Sequence, residues 1–341
     1  NYNVRFAGAS NTVGGATTFG NAGKLTLGNE ASDSITFTDG VTATATFNRD
    51  VSGTVSVTTG GINLAGGGVT AFKHNATLGG DGTGAIVLGD AIINTNVGVT
   101  LGTGNATSLT AARMVGSLSD TSSVTMNIGG DITFTSGLLA DAISISSGDV
   151  VAFDSQVFAN TLSISGVSDI DGYGNASVTF NDRLQVLSDG TNSGTGLTVG
   201  SGAYDIAFLG SGSQIRGDAV TFNNTGALTF GDNQYSSTTF YNSVNASGVS
   251  GVSLTGTLTV EGDSINETFT TVNGRQRLQS YALASRGSLD LGNGGLTITD
   301  NAFLYTGVSP TGITPGTSGI ADGDDGSVAI GNVTIADGAL L

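Results

Sequence analysis

The chain is patterned by short units in which an apolar residue, a small polar residue and a second apolar residue follow one another. Such units are Leu25-Thr26-Leu27, Ile35-Thr36-Phe37, Val99-Thr100-Leu101, Ile132-Thr133-Phe134, Val178-Thr179-Phe180 and Leu228-Thr229-Phe230. A period of two places both apolar residues on one face of a β-strand and the polar residue on the other. Thr is β-branched and suits an exposed strand face. The pattern therefore predicts many short strands, each with one buried side.

One longer phrase occurs twice. Residues 23–41 read "GKLTLGNEASDSITFTDGV", residues 226–244 read "GALTFGDNQYSSTTFYNSV", and eight of the nineteen aligned positions are identical. A solenoid repeats itself because every coil packs on its neighbour in the same way. We therefore predict an all-β fold, a parallel β-helix (β-solenoid) of about a dozen coils with short terminal extensions. The alternative is a set of tandem antiparallel β-sandwich domains.

The composition agrees with this fold. Gly accounts for 56 of 341 residues, Pro for 2, and charged residues for only 11%. Equivalent residues of successive coils stack on one another, so a charge repeated in every coil would repel the next. Thr and Ser stack without that repulsion, Gly permits sharp corners, and Pro would remove a backbone donor from the ladder.

The net charge is −17 at pH 7, and the chain has no Cys. Nucleic-acid binding needs clustered Lys and Arg, so we predict no nucleic-acid partner. No apolar run approaches the ~20 residues of a membrane-spanning helix, so we predict no membrane span. The absence of Cys fits an exported bacterial protein that does without disulfides. The opening "NYNVRF" reads as the start of a mature chain, so we expect any secretion signal to have been removed.

A resemblance supports the same fold. The stretch "GDNQYSSTTFYNSVNASGVSGVSLTGTLTV" (231–260) resembles the repeats of large secreted bacterial exoproteins, as does "GDITFTSGLLADAISIS" (130–146). These are the filamentous-haemagglutinin-like proteins and the autotransporter passengers. The resemblance covers about residues 16–260 and implies a parallel β-helix exposed on cells, acting in adhesion or as an extracellular fibre.

The pattern divides the chain into segments. We predict an N-terminal strand or cap (1–15), the solenoid (16–272), a helical or loop insertion or cap (273–288), the last solenoid strands (289–301), a flexible Gly/Pro/Asp link (302–325) and a C-terminal strand extension (326–341). In 273–288, Leu278, Tyr281 and Ala282 have the spacing of one helical face. The alternative is a basic surface that meets an acidic neighbouring subunit.

Two acidic turns are candidate calcium sites. Asp169, Asp171 and Asn175 surround two glycines in "SDIDGYGNAS", and Asp322, Asp324 and Asp325 cluster in "ADGDDGS". Hard cations bind several oxygens on a turn that Gly can fold. The alternative is a solvated acidic turn. Calcium is the one cofactor for which the sequence makes a case, and we predict that none is required.

No catalytic constellation stands out. His74 is the only histidine, and no nucleophile-elbow motif accompanies it. We therefore predict that the chain is not an enzyme.

We expect an extracellular or cell-surface structural protein, the self-assembling subunit of a bacterial surface filament, fibre or layer, joined end to end by strand pairing with further copies of itself. The residues assigned to assembly are Val4, Phe6, Arg275, Arg277, Arg286, Val328, Ile330, Val333 and Ile335. An adhesin-type β-helix that binds host or surface polysaccharide is the alternative, and a polysaccharide-cleaving β-helix enzyme is the third hypothesis.

Overall fold

The computed structural model describes residues 1–188, 194–233, 235–242, 244–246 and 248–260, and it gives only the backbone of 254–257, 259, 260 and the strand segments beyond residue 260. Every regular element in this part of the chain is a β-strand. It therefore offers no helix with the length and hydrophobicity needed to cross a membrane. The chain divides into two units, residues 1–176 and 177–341, which are described separately.

The first unit is a stack of short strands. They are β1 (Val4–Phe6), β2 (Asn11–Val13), β3 (Thr17–Thr18), β4 (Leu25–Leu27), β5 (Ser34–Phe37), β6 (Val41–Thr42), β7 (Arg49–Val57), β8 (Ile62–Leu64), β9 (Thr70–Gly80), β10 (Ile86–Leu88), β11 (Ala91–Ile93), β12 (Gly98–Leu101), β13 (Ser108–Ala111), β14 (Met114–Val115), β15 (Ser123–Asn127), β16 (Asp131–Phe134), β17 (Leu138–Leu139), β18 (Ala142–Ser147), β19 (Val150–Phe153), β20 (Val157–Ala159) and β21 (Thr161–Ile164).

These strands form three parallel sheets. The first sheet begins β1–β4–β7, the second β2–β5–β7 and the third β3–β6–β8. The long strands β7 and β9 each contribute to both the first and the second sheet. One coil supplies one rung to each sheet, so the unit is a parallel β-helix, as predicted. The strands of the described residues pair in parallel, and the antiparallel sandwich alternative is wrong.

The core of the first unit is filled by the inward residue pairs of the sequence pattern. Leu25, Leu27, Ile35 and Phe37 are fully buried, and the intervening Thr residues face outward. Equivalent positions of successive coils stack on one another. Phe134 and Phe153, for example, have stacked rings 5.5 Å apart. Aromatic stacking of this kind adds to the stabilisation that area burial provides.

The second unit has the same construction. Its strands are β22 (Ser177–Phe180), β23 (Leu184–Val186), β24 (Leu197–Gly202), β25 (Asp205–Phe208), β26 (Ser213–Ile215), β27 (Val220–Asn224), β28 (Ala227–Phe230), β29 (Ser237–Phe240), β30 (Val244–Asn245), β31 (Gly251–Val260), β32 (Ser264–Asn266), β33 (Phe269–Ser280), β34 (Ser288–Asp290), β35 (Leu296–Ile298), β36 (Ala302–Thr306), β37 (Ala321–Asp322), β38 (Val328–Ala329) and β39 (Val333–Ile335).

Parallel pairing again joins strands of successive coils, such as β25 with β28 and β26 with β29. The rings of Phe180, Phe208 and Phe230 stack one on the next, with 5.5 Å between the centroids of each pair. Phe240 packs edge-on against this ladder and is buried. Phe37 and Phe240 occupy aligned positions of the repeated phrase, and both rings are buried.

Two predicted boundaries differ from the structure. The strands β1, β2 and β3 already form a complete coil, so residues 4–18 belong to the solenoid, which was predicted to include only residues from 16 onward. The strand β33 includes residues 273–280, where a helix or insertion was expected, and it pairs in parallel with β31. Ladder hydrogen bonding with the neighbouring coil replaces the local helical pattern there. Residues 281–287 lie outside the described residues.

The segments after residue 288 contain further strands. The strands β34 and β35 lie in or next to 289–301, the segment that the sequence analysis assigned to the last solenoid strands. The strands β36 and β37 lie within 302–325, where a link without regular structure was expected. The strands β38 and β39 correspond to the predicted C-terminal extension, and they pair with β34 and β35 of the same chain.

Candidate functional site

In the part of the chain that the structure describes, the first coil pairs with other strands along one edge only. Its three strands pair on one side with the second coil, through Val4 with Leu25, Asn11 with Ile35, and Thr17 with Val41. On their other side, no strand within the described residues pairs with them. An edge of this kind is a row of free N–H and C=O groups, which can pair with another strand.

The apolar interior is also incompletely covered at this edge. Val4, Phe6 and Val13 point inward but are only half-buried. Phe6 packs edge-on against Phe19 and Phe37, with ring centroids 5.8 and 6.2 Å away. The ring of Phe37 is fully buried one coil further in, so the change in burial occurs over a single coil. The edge therefore combines free backbone groups with exposed apolar surface.

A hydrogen-bonded turn of the second coil connects strands β4 and β5. The Asp33 carboxylate accepts hydrogen bonds from the backbone N–H groups of Asn29 at 2.7 Å and Glu30 at 3.3 Å. The hydrogen bond from Asn29 is the main reason that the pKa of Asp33 lies below its ordinary value. Partial desolvation opposes this shift, whereas the Gly8 N–H and the positive charge of Arg5 reinforce it. The turn is thus held by an ionised carboxylate.

The acidic turn at 169–174 is well ordered by its own hydrogen bonds. Asp169 accepts the N–H groups of Gly172 at 2.7 Å and Gly174 at 2.8 Å, one on each carboxylate oxygen. Asp171 accepts the N–H of Tyr173 at 3.0 Å. Partial desolvation raises the pKa of Asp169, but the hydrogen bonds from Gly174 and Gly172 lower it by more, so it lies below the ordinary value.

The structure adds a carboxylate that sequence reasoning missed. Asp149, in the preceding coil, accepts the backbone N–H of Ile170 at 3.3 Å. One carboxylate oxygen from each of Asp149, Asp169 and Asp171 lies within 4.8 Å of the other two. The bridge between Gly148 and Val167 shows that residues about one coil apart in the sequence lie side by side. The coil length is therefore the signal that could have placed Asp149 next to Asp169. Asn175, the third residue predicted from the sequence, is exposed and is not one of these three ligands.

The other predicted residues have varied positions. Asp322 lies in β37, Arg275 and Arg277 in β33, Val328 in β38, and Val333 and Ile335 in β39, each with only its backbone described. Asp324, Asp325, Arg286 and Ile330 lie outside the described residues. The second acidic turn and the basic cluster therefore stay predictions.

His74 has one hydrogen-bond partner in the described part of the chain. Its Nδ1 lies 3.2 Å from the hydroxyl oxygen of Ser52, the neighbouring rung of the β-helix. No carboxylate within the described ranges hydrogen-bonds to the imidazole, so the third group of a Ser-His-Asp arrangement is not seen there. Whether the chain has enzymatic activity stays a prediction from sequence.

A column of hydroxyl groups runs along the outside of the second sheet. It consists of Ser34, Thr54, Thr77, Thr100, Thr125, Ser144 and Ser163, which are register partners in successive coils. Thr54, Thr77, Thr100 and Thr125 also line a shallow groove of about 260 Å³. This face is polar and uncharged along the column.

No protein-family model, curated protein or solved structure matches this chain.

Proposed function

We propose that the chain is an extracellular structural protein that assembles end to end with further copies of itself into a surface filament or layer. The observation that carries this proposal is the first coil: among the described residues its strands pair with the second coil alone, and its inward residues Val4, Phe6 and Val13 are half-buried. A free β-edge with exposed apolar groups favours addition of another strand.

A second copy is the occupant that fits this edge best. A coil with the same three-sheet cross-section can continue all three ladders at once, because each coil of the first unit already does so with its neighbour. Contact between two different ends of the chain is heterologous and propagates into an open fibre. The strands β38 and β39 pair with their own chain, so stacking of whole coils is the simpler form of contact.

Charge sets the conditions for assembly. The net charge of −17 makes copies of the chain repel one another at long range. Salt shortens that repulsion to about 8 Å at physiological ionic strength. Assembly should therefore be weak in low salt and increase with ionic strength. The extracellular location is supported by the resemblance to secreted exoproteins and by the absence of Cys.

The test removes the free donors of the edge and keeps the coil intact. The N–H of Val4 and the C=O of Phe6 bond to the second coil, so by alternation the N–H of Arg5 faces the open side. The same argument applies to Thr12, because the C=O of Val13 bonds to Thr38. The double variant Arg5→Pro, Thr12→Pro therefore removes two free donors and no internal ladder bond.

Assembly of the full-length variant is measured by electron microscopy and sedimentation. The matched control is Arg5→Ala, Thr12→Ala, which loses the same side chains but keeps both N–H groups. We expect filaments from the intact chain and the control, and folded monomers from the proline variant. Filaments from the proline variant, or an intact chain that stays monomeric at high concentration and salt, would contradict the proposal.

The hydroxyl column favours a second function, adhesion to polysaccharide. Seven successive outward hydroxyls and a shallow groove offer repeated hydrogen-bonding groups to an extended sugar chain. The triple variant Thr77→Val, Thr100→Val, Thr125→Val keeps the shape and removes the hydroxyls. Loss of binding to an immobilised polysaccharide with unchanged assembly would support adhesion. No binding by the intact chain would exclude this second function.

A further inference from the structure

We propose that Asp149, Asp169 and Asp171 form a calcium site that joins the acidic turn to the preceding coil. This site is independent of end-to-end assembly. The sequence pointed to the turn alone, and the structure supplies a buried third carboxylate from another coil.

The spacing of the three carboxylates suits one cation. Ca²⁺ binds oxygens at about 2.3–2.6 Å, so two ligands of one ion are separated by at most about 5 Å. One oxygen from each of Asp149, Asp169 and Asp171 lies within 4.8 Å of the other two, inside that limit. This separation is close to that of three ligands of one ion, so small movements of the side chains would bring all three carboxylates into contact with it.

Asp149 is the observation that distinguishes this cluster from a solvated acidic turn. The residue is only 2% exposed, and its Oδ1 atom is buried without a hydrogen-bond partner. Burying a carboxylate oxygen without a partner is unfavourable, and native proteins rarely do so. A bound cation would compensate it directly, whereas bulk water does not reach it.

The charges around the cluster also favour a bound cation. Three carboxylates at this separation repel one another. The ion pairs of Lys24 with Asp50 and of Arg113 with Asp90 do not involve this cluster. In the part of the chain that the structure describes, no basic side chain is seen to offset the repulsion among the three carboxylates. A divalent cation would offset it.

Hydrogen bonds within the turn orient its carboxylates before any ion binds, and the resulting set of oxygens suits an ion that accepts irregular coordination geometry. Backbone N–H groups of Gly172, Gly174 and Tyr173 orient the carboxylates of Asp169 and Asp171. Each oxygen keeps a free lone pair for a metal. Mg²⁺ demands near-ideal octahedral geometry, whereas Ca²⁺ tolerates irregular sets of carboxylate, carbonyl and water oxygens. Calcium is therefore the cation expected here.

A bound ion would act as a clasp between two coils. The turn already contacts the preceding coil through the Ser168 N–H, which donates to the Gly148 carbonyl at 3.0 Å, and the Ile170 N–H, which donates to Asp149. A ligand that binds only the folded state stabilises that state. Calcium should therefore raise the unfolding temperature and protect the turn from proteolysis.

The test measures calcium binding to the full-length protein at a concentration below assembly, by isothermal titration after treatment with a chelator. We expect one calcium per chain at this site, with an affinity in the range of extracellular modules, Kd about 10⁻⁴–10⁻³ M. Binding of Mg²⁺ should be weaker than binding of Ca²⁺.

The variants Asp149→Asn and Asp171→Asn should each weaken calcium binding by about tenfold or more, because each removes a charged ligand. The matched control Asp81→Asn makes the same charge change at an exposed position and should bind as the intact chain does.

The apoprotein gives a second readout. Without calcium, Asp149→Asn should unfold at the same or a higher temperature than the intact chain, because it removes a buried uncompensated charge. Asp171 is exposed, so Asp171→Asn tests the site even if Asp149→Asn does not fold. No calcium binding up to 10-fold above the weakest expected Kd, about 10 mM, would overturn the proposal. Equal binding by the intact chain and both variants, or equal affinity for Ca²⁺ and Mg²⁺, would overturn it as well.

Discussion

Gly28 and Gly231 have the same role in two different coils. Their φ angles are 76° and 78°. Each donates its N–H to the last strand residue of the preceding coil, Gly28 to the Phe6 carbonyl at 2.9 Å and Gly231 to the Phe208 carbonyl at 2.7 Å. The repeated phrase of the sequence is thus a repeated corner, built with the same left-handed residue.

The rest of the corner is also similar in the two coils. Asp33 and Ser236 occupy aligned positions of the phrase. The Asp33 carboxylate accepts the Asn29 N–H at 2.7 Å, and the Ser236 hydroxyl accepts the Asp232 N–H at 3.4 Å. Two different side chains therefore accept the equivalent backbone hydrogen bond in the two turns. The substitution Asp33→Ser would place the side chain of the second turn in the first.

Replacing Gly28 with Ala should destabilise the fold. The left-handed conformation costs an L-residue about 1–2 kcal/mol, and a Cβ at this position would overlap the carbonyl oxygen of Ser52. Urea unfolding should therefore show a loss of at least about 2 kcal/mol. Gly14→Ala is the control, because a Cβ there meets nothing within 4 Å. Equal effects of the two substitutions would contradict this account of the corner.

Phe37→Ala and Phe240→Ala should each remove a large part of a unit's core. Both rings are buried in clusters of aromatic side chains. Truncation of a buried Phe costs about 3–5 kcal/mol through lost burial and the cavity left behind. Phe47, which is 71% exposed, supplies the control Phe47→Ala, with an expected change within about 0.5 kcal/mol. The free energy of unfolding of the three variants can be compared directly in urea.

Asp33 should make stability depend on pH in the acidic range. Its folded pKa lies below the ordinary value of 3.8. Its stabilisation is therefore complete above that value and is lost as the pH falls through the lower folded pKa, where the native carboxylate becomes protonated. The variant Asp33→Ser adopts the residue of the second phrase, which caps the turn without titrating. The stability difference between the two proteins should shrink below about pH 4, and a difference that is constant with pH would argue against an ionised cap.

Arg49→Ala should be far more damaging than removal of a surface cation. The guanidinium is fully buried and donates to Thr70 Oγ1 at 2.9 Å and to the carbonyls of Ala43 and Thr46. Burial lowers the pKa of Arg49, but an arginine keeps its charge at neutral pH. The substitution leaves several buried acceptors without a donor, at a cost of about 3 kcal/mol or more.

The control for Arg49 is Arg113→Ala. Arg113 forms an exposed ion pair with Asp90, with 3.5 Å between nitrogen and oxygen. Exposed pairs of this kind contribute about 0–1 kcal/mol. Chemical unfolding of both variants should therefore show a clear difference. A loss at Arg49 no larger than that at Arg113 would mean that water enters the corner and satisfies the acceptors.

The sequence by itself determined which face of each strand is buried. Alternation in units such as Leu25-Thr26-Leu27 depends only on neighbouring residues, and the structure buries the two leucines. The repeated phrase was also sufficient to predict a parallel β-helix, because a coil that packs on its own likeness needs the same residues at the same places.

The tertiary structure decided which residues of different coils lie side by side. Val4 pairs with Leu25, 21 positions later, whereas Leu138 pairs with Val157, 19 positions later, so coil length varies. The coils differ in length because their corners differ in length. Extra residues in a corner do not change the alternation of apolar and polar residues in the strands. Asp149 could not be assigned to the turn of Asp169 without that register. The helical spacing around Leu278 likewise lost to pairing with the adjacent coil, because non-local ladder bonds outweigh a weak local preference.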